Sequence, residues 1–188
     1  KKEEQVTEDL ELAPISDYNK TKMVAERVCL SYANEMIVQI IRPATVGGYS
    51  PRMRLDLSVN LLTAQAVAKG RISVFGGSQL RPNIHVDDIT DLYVFMLEHP
   101  ELTGIYNAGF ENLSILDIAR RVQGRVPVDI EIKQSDDPRS YRMNSDRLLR
   151  TGFKPKKTVE DAIEGVIEEF RSGRLKDEDR CYNIRWMQ

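Results

Sequence analysis

The chain is organised around one short stretch, residues 16–22, which read SDYNKTK. Tyr18 and Lys22 are four residues apart, and side chains at that spacing lie on one face of an α-helix, with Cβ atoms about 5–6 Å apart. A cation within about 4–6 Å of a phenol favours the phenolate. The pair can therefore accept or donate the proton of a hydroxyl group. Taken alone the spacing is a weak signal, because many helices carry Tyr and Lys on a solvated face.

The residues after this stretch predict a helix and then a buried strand. A helix is expected over residues 17–34, with Ser16 or Asp17 as its N-cap. Residues 36–41 are β-branched and almost continuously apolar, which is typical of a strand buried on both faces of a parallel sheet. That strand delivers residues 42–48 to its carboxyl end, where open α/β sheets bind ligands.

The rest of the chain alternates strands with helices. Residues 1–15 are predicted to be a loop, and Asp87 or Asp88 is expected to cap a helix that runs to Pro100. Further helices are predicted over 55–69, from Ser114, over 144–150 and, capped by Thr158, over 158–171. Strands are predicted over 71–75, 83–86, 104–109 and 128–133.

Composition excludes several functional classes. The 188 residues contain 41% hydrophobic and 30% charged side chains, as in an ordinary soluble globular protein. With 27 basic and 29 acidic residues, we expect neither a nucleic acid nor a membrane as partner. His85 and His99 are interpreted as structural, and no metal site is expected. Two cysteines without metal-ligand spacing favour the reducing cytoplasm, with Cys29 predicted to be a buried helical thiol.

Three segments together resemble one family. Residues 18–48, 77–88 and 138–155 are similar, in order and spacing, to the extended short-chain dehydrogenase/reductase family of nucleotide-sugar epimerases, dehydratases and reductases. The resemblance covers nearly the whole chain to about residue 171. It implies an α/β fold, the second half of a Rossmann-like doubly wound parallel sheet, joined to a small α/β substrate-binding lobe.

The same resemblance divides the chain into interleaved parts. It assigns residues 1–50 and about 71–110 to interleaved parts of the Rossmann-like domain and the lobe. It assigns 51–70 and 111–172 mainly to the substrate-binding lobe, and leaves 173–188 as a C-terminal tail without a clear pattern.

The resemblance also implies roles for the first group of candidate residues. Tyr18 would be the catalytic base, with Lys22 favouring its ionised form and binding the nicotinamide ribose of NAD or NADP. Arg42, Pro43 and Thr45 would line the cofactor site. Thr45 stands where the family usually has a substrate-binding asparagine, so it is also expected to contact substrate, with the shorter reach of a hydroxyl.

Two arginines are expected to bind the substrate diphosphate. Arg81 lies in GGSQLRPNIHVDD, residues 76–88, where the family commonly contacts the diphosphate, and Arg139 would be the other half of the clamp. A guanidinium suits this task because its rigid fork of donors matches phosphate oxygens. The alternatives are a surface arginine in a turn and a surface salt bridge. Asn60 is assigned to substrate, with a surface or packing role equally open.

Parts of the family's machinery have no counterpart here. None of the eleven glycines forms the glycine-rich dinucleotide turn, and the catalytic Ser or Thr would fall before Lys1. The favoured hypothesis is the C-terminal part of an NAD(P)-dependent enzyme acting on a nucleotide-diphosphate sugar, most simply an epimerase, with a 4,6-dehydratase or reductase as alternatives. The second hypothesis is a truncated, non-catalytic nucleotide-sugar-binding or interaction module. The family usually dimerises through the tyrosine helix, so we expect a homodimer.

Overall fold

The computed structural model describes residues 5–135, 137 and 139–186. Strands and helices alternate along most of this length, which confirms the predicted α/β class. The elements are α1 (Asp17–Ser31), β1 (Gln39–Pro43), β2 (Thr45–Gly47), α2 (Ser58–Lys69), β3 (Arg71–Phe75), β4 (Leu80–His85), α3 (Val86–Glu98), β5 (Gly104–Ala108), β6 (Glu111–Ser114), α4 (Ile115–Arg125), β7 (Asp129–Lys133), α5 (Asp146–Leu149), α6 (Val159–Arg171) and α7 (Asn183–Trp186).

The strands form three small sheets. β1 pairs with β5 and β3 pairs with β7, both in parallel. β4 lies between β2, to which it is parallel, and β6, to which it is antiparallel. The consecutive strands β1 and β2 thus enter different sheets, and residues 42–48 lie at the junction between them.

Two main apolar clusters hold these sheets in place. The first packs α2, α4 and α6 against β3, with Val59, Ile72 and Ile163 fully buried. The second packs α3 and α5 against β4 and β5, and Leu92 and Leu148 are fully buried there. At about 1.5–3 kcal/mol for each large aliphatic side chain removed from water, these clusters dominate the stability of the fold.

Helix ends are where local prediction succeeds best. Thr158 caps α6, and Asp161 completes a reciprocal capping box. α2 ends at Gly70, which adopts a left-handed φ of 64°, a conformation that glycine adopts without steric cost. Ser114 caps α4 as predicted, and of the two predicted candidates Ser16 and Asp17 it is Ser16 that caps α1.

The structure corrects several expectations in the first hundred residues. α1 ends at Ser31, and β1 begins at Gln39 instead of residue 36. β1 is half-buried and not covered on both faces, because a groove beside it is left unfilled by the residues that the structure describes. Neither aspartate caps α3. The side chain of His85 does so, since its Nδ1 accepts the backbone N–H of Asp87 at 3.0 Å.

Candidate active site

Tyr18 and Lys22 lie together on the first turns of α1. The hydroxyl of Ser16 accepts the N–H of Asn19 at 3.2 Å and so fixes the start of the helix. The Lys22 ammonium lies 5.7 Å from the centroid of the Tyr18 ring, and 69% of the Tyr18 surface is exposed. The predicted juxtaposition is therefore present, and the phenol is open to a ligand.

Tyr18 stands where two cavities meet. A groove of about 720 Å³ runs along β1 between α1 and α3, and both members of the pair line it, together with Arg42 and Pro43. A cleft of about 360 Å³ lies on the other side of Tyr18, and Thr45 and Asn60 are among its lining residues. Each cavity is large enough for part of a dinucleotide or a sugar nucleotide.

Arg42 is already engaged within the protein. Its Nε donates to Glu26 at 2.8 Å, and its Nη1 donates to the carbonyl of Glu8 at 3.1 Å. The hydrogen bond to Glu26 raises the pKa of Arg42 above its usual value. This partly buried pair ties the end of β1 to α1, so Arg42 fixes the wall of the groove in which Tyr18 and Lys22 lie.

Asn60 holds the loop that follows β2. Its Oδ1 accepts the N–H of Gly48 at 2.9 Å, and its Nδ2 donates to the carbonyl groups of Arg54 at 2.9 Å and Gly48 at 3.3 Å. The residue is 3% exposed. Its amide therefore shapes the cleft floor beside Thr45, while substrate contact by Asn60 and Thr45 stays a prediction.

Arg81 and Arg139 converge on a single carboxylate. The Nη2 of Arg81 lies 2.8 Å from Asp137 Oδ2, and its Nη1 donates to the carbonyl groups of Leu80 and Arg139. Arg139 bonds the same carboxylate through Nε at 2.8 Å and Nη2 at 2.7 Å. The two arginines, which are 58 residues apart in sequence, thus form one cationic group.

The shared carboxylate is held firmly in its ionised form. Hydrogen bonding to Arg139 is the largest influence, and the charge of Arg81 adds to it, so the pKa of Asp137 lies far below its usual value. Among the residues that the structure describes, two guanidinium groups share this one carboxylate. A diphosphate that replaced Asp137 would meet donors already directed at one point.

Three residues of the site escaped the sequence interpretation. Asp137 joins the two arginines, Glu26 holds Arg42, and Tyr141 lines a further cavity of about 350 Å³ together with Lys22. Glu26 is four residues after Lys22, so helical spacing could have placed it on the same face. Asp137 meets Arg139 locally, two residues along the chain, but it meets Arg81 only through tertiary structure. Tyr141 likewise approaches Lys22 through tertiary structure.

Other site expectations meet mixed outcomes. Cys29 is exposed and lines the groove beside β1, so the prediction of a buried thiol is wrong. Helical spacing predicts on which face of α1 Cys29 lies, but it does not predict which residues pack against that face. In the part of the chain that the structure describes, no three His, Cys, Asp or Glu side chains are arranged to hold a metal. No described helix is both long and apolar enough to cross a bilayer.

Known proteins with similar sequences are reductases and epimerases. Dihydroflavonol 4-reductase of Hordeum vulgare is 29% identical over a match that covers 84% of this chain and 46% of the relative. UDP-glucose 4-epimerase of Lactobacillus helveticus is 28% identical over a match that covers 93% of this chain and 61% of the relative. The chain thus spans about half the length of the curated relatives it matches.

Solved structures share the fold. UDP-glucuronic acid 4-epimerase from Bacillus cereus, in complex with UDP-glucuronic acid and NAD, superposes with a TM-score of 0.78 at 25% identity, over 91% of this chain and 57% of that one. The dTDP-glucose 4,6-dehydratase of Bacillus anthracis, in complex with NAD, gives a TM-score of 0.80 at 22% identity, over 93% of this chain and 58% of that one.

The match to a defined family confirms the resemblance seen in the sequence. The profile described as the NAD dependent epimerase/dehydratase family matches residues 1–109, a span that contains Tyr18, Lys22, Thr45 and Arg81. This span exceeds half of the 188 residues. The chain therefore belongs to the NAD dependent epimerase/dehydratase family.

Proposed function

We propose that this chain is the substrate-binding and proton-transfer part of an NAD(P)-dependent enzyme that epimerises a nucleotide-diphosphate sugar. The observation that carries the proposal is the convergence of Arg81 and Arg139 on Asp137. A diphosphate matches that arrangement, because it offers paired anionic oxygens to two planar forks of donors. The cofactor and the sugar would then meet at Tyr18, where the groove and the cleft adjoin.

In the proposed reaction Tyr18 removes the proton from a sugar hydroxyl, most simply the one at C4. Lys22 is proposed to stabilise the phenolate that this step requires, and its ammonium lies 5.7 Å from the centroid of the Tyr18 ring. The bound dinucleotide supplies the hydride acceptor. When the hydride returns to the opposite face of the carbonyl carbon, which gives the epimer, Tyr18 would return the proton to the carbonyl oxygen. Thr45 is proposed to orient the sugar from the cleft.

The groove beside β1 fits one end of the dinucleotide. Its wall carries the ammonium of Lys22 and the hydroxyl of Tyr18, two groups that can hydrogen-bond a ribose, next to the apolar ring of Pro43. Among the described residues, no glycine-rich turn joins a strand directly to the first turn of a helix, the arrangement that cradles a pyrophosphate. We therefore assign the nicotinamide ribose, and not the pyrophosphate, to this chain.

Three alternatives have a specific observation behind them. Dihydroflavonol 4-reductases are among the similar proteins, which favours reduction of a carbonyl by the same Tyr18 and Lys22. A 4,6-dehydratase shares the proposed first step and is also among the structural relatives. The chain spans about half of its relatives, which keeps open a binding module that holds a nucleotide sugar without turnover.

Calorimetric titration separates the carbonyl reductase from the alternatives that bind a nucleotide sugar. We expect UDP-glucose and UDP to bind, and uridine to bind at least tenfold more weakly, because the diphosphate meets Arg81 and Arg139. Equal binding of uridine and UDP would refute the clamp. Dihydroquercetin binding in place of UDP-glucose would favour the carbonyl reductase.

The exposed face of α1 supports the proposed homodimer. None of its residues is fully buried, and Val24, Val28 and Tyr32 are exposed large apolar side chains on this one helix. A second copy would remove them from water. Light scattering on Val28→Lys should then report a loss of dimer, and an unchanged mass would contradict this interface.

A further inference from the structure

The C-terminal segment encloses a cavity separate from the Arg81 clamp. The cavity measures about 250 Å³ and lies between the loop at residues 49–53 and the segment at 174–186. The sequence of this segment is charged and shows no clear periodicity, and its residues have no role in the proposed reaction. Its residues nevertheless form a 3₁₀ turn (Asp179–Cys181) and α7, and both contribute residues to one side of the cavity.

Hydrogen bonds dock this segment onto the core, so the cavity walls are fixed. The N–H of Leu55, a fully buried residue, donates to the carbonyl of Cys181 at 2.8 Å. The N–H of Asn183 donates to Asp56 at 3.1 Å, and Arg54 neutralises that carboxylate through two bonds of 3.0 and 3.1 Å. A preformed wall lowers the entropic cost of holding a ligand.

The described lining is cationic. It contains three guanidinium groups and no carboxylate, with Arg174 and Arg180 paired to glutamates outside the lining at 2.7 and 2.8 Å. Arg52 differs from both, because its described hydrogen bond goes to a neutral amide, Asn183 Oδ1 at 3.1 Å. The Arg52 charge is therefore the one most available to an anion.

The lining also offers flat apolar surface. Tyr49 and Trp186 both line the cavity, and 64% of the Trp186 surface is exposed. Aromatic faces of this kind bind planar rings by stacking. The volume is at or below the lower limit of about 300 Å³ for drug-sized ligands, which is too small for a sugar nucleotide and suits one ring with one acidic group.

We propose that this cavity binds a small planar organic anion of the size of an aromatic carboxylate, with its charge on Arg52 and its ring against Trp186 and Tyr49. Such a ligand has the charge, shape and volume that the cavity offers. Neither Arg81 nor Arg139 lines this cavity, and Tyr49 and Trp186 do not line the cleft beside Thr45, although Ser50 and Arg52 line both, so the two cavities adjoin at Arg52.

Trp186 makes a direct test possible, because it is the only tryptophan in the chain. Benzoate is titrated while the Trp186 fluorescence is recorded, with benzamide as the uncharged probe and inorganic phosphate as the probe without a ring. We expect a saturable change with benzoate in the millimolar range, and at least tenfold weaker responses with the other two. No saturation by about 10 mM benzoate, or an equal response to benzamide or phosphate, would overturn the proposal.

Matched variants locate the signal. Arg52→Gln should weaken benzoate binding at least tenfold, whereas Arg81→Gln should leave it unchanged. If Arg52→Gln unfolds by circular dichroism, calorimetry on Trp186→Phe serves instead and should show weaker binding of benzoate. Loss of benzoate binding in folded Arg81→Gln, or its retention in folded Arg52→Gln, would contradict the assigned site.

Discussion

Arg81 and Asp137 form a 2.8 Å ion pair although 56 residues separate them in the chain. The pair joins the start of β4 to the segment after β7, and Arg139 bonds the same carboxylate. Because one anion orients two cations, the two arginines should behave as a unit toward any ligand that replaces it.

The first prediction concerns this coupling. Arg81→Gln and Arg139→Gln should each weaken UDP binding by about 10–100-fold, since each removes charge-assisted hydrogen bonds worth about 1.5–3 kcal/mol. The double variant should lose less binding free energy than the two single variants lose together, with a coupling free energy of about 0.5–3 kcal/mol. Titration calorimetry with UDP on the wild type, the two single variants and the double variant measures this coupling free energy. Arg125→Gln, which removes an exposed pair with Glu164, is the control and should bind UDP normally. Strict additivity of the two losses would refute the shared-carboxylate arrangement.

A second prediction concerns the buried carboxylate of Asp88. It is 1% exposed and accepts the backbone N–H groups of Lys156 at 2.8 Å and Lys157 at 3.1 Å. Asp88→Asn turns an acceptor into a donor that faces an N–H, so the free energy of unfolding should fall by about 1–3 kcal/mol. Urea denaturation measures this loss. Asp91→Asn breaks only the exposed pair with Lys156 and should cost less than about 1 kcal/mol. An equal loss of unfolding free energy in both variants would show that the hydrogen bonds from the two backbone N–H groups to Asp88 do not stabilise the fold.

The third prediction is a dependence of stability on pH. Burial lowers the pKa of His85 in the fold, against opposing charges from Asp87 and Asp88, with Lys157 and Asp161 nearby. The unfolded chain therefore takes up the proton first, and stability should fall as the pH drops below about 6.5, the usual histidine value.

His85→Asn provides the control for this effect. Asparagine is a good N-cap and can still accept the N–H of Asp87, but it does not titrate. Urea unfolding between pH 7.5 and 5.5 should show a smaller loss of stability in the variant than in the wild type. Identical pH profiles would mean that His85 does not carry the effect.

A fourth prediction compares two glycines. A Cβ on Gly109 would lie 2.6 Å from the Cβ of Ala44 and 3.0 Å from Met143 Sδ. Gly109→Ala should therefore cost about 1–3 kcal/mol through overpacking. Gly124 lies within α4 and has open space around it, so Gly124→Ala should stabilise the protein by up to about 1 kcal/mol. Thermal melting distinguishes the two, and a neutral Gly109→Ala would contradict the close approach of Gly109 to Ala44.

Sequence reasoning succeeded where the determining interactions are local. The Tyr18–Lys22 pair follows from helical spacing, and the Thr158 cap follows from a box of four residues. The partners of Arg81 and Asn60 lie elsewhere, and local spacing contains no information about them. The motifs predict a common role for both arginines in binding a diphosphate, but they do not predict that the Asp137 carboxylate joins them.

Burial was the least predictable property. Cys29 and the residues of β1 have apolar patterns that indicate covered surface, yet a groove of about 720 Å³ lies beside them. An apolar pattern predicts which face of an element can be buried, whereas the neighbours that bury it are set by tertiary contacts. The helix cap at His85 escaped prediction because histidine is an uncommon N-cap.

The central claim is that Tyr18 transfers the proton from a sugar hydroxyl. The test is the turnover of UDP-glucose with NAD, measured in the protein at its native length. The Tyr18→Phe variant is compared with Tyr32→Phe, a control at the other end of the same helix. We predict that Tyr18→Phe loses at least 100-fold in kcat while calorimetry shows unchanged UDP-glucose binding, and that Tyr32→Phe keeps both. Wild-type turnover in Tyr18→Phe would contradict the assignment of this residue as the base.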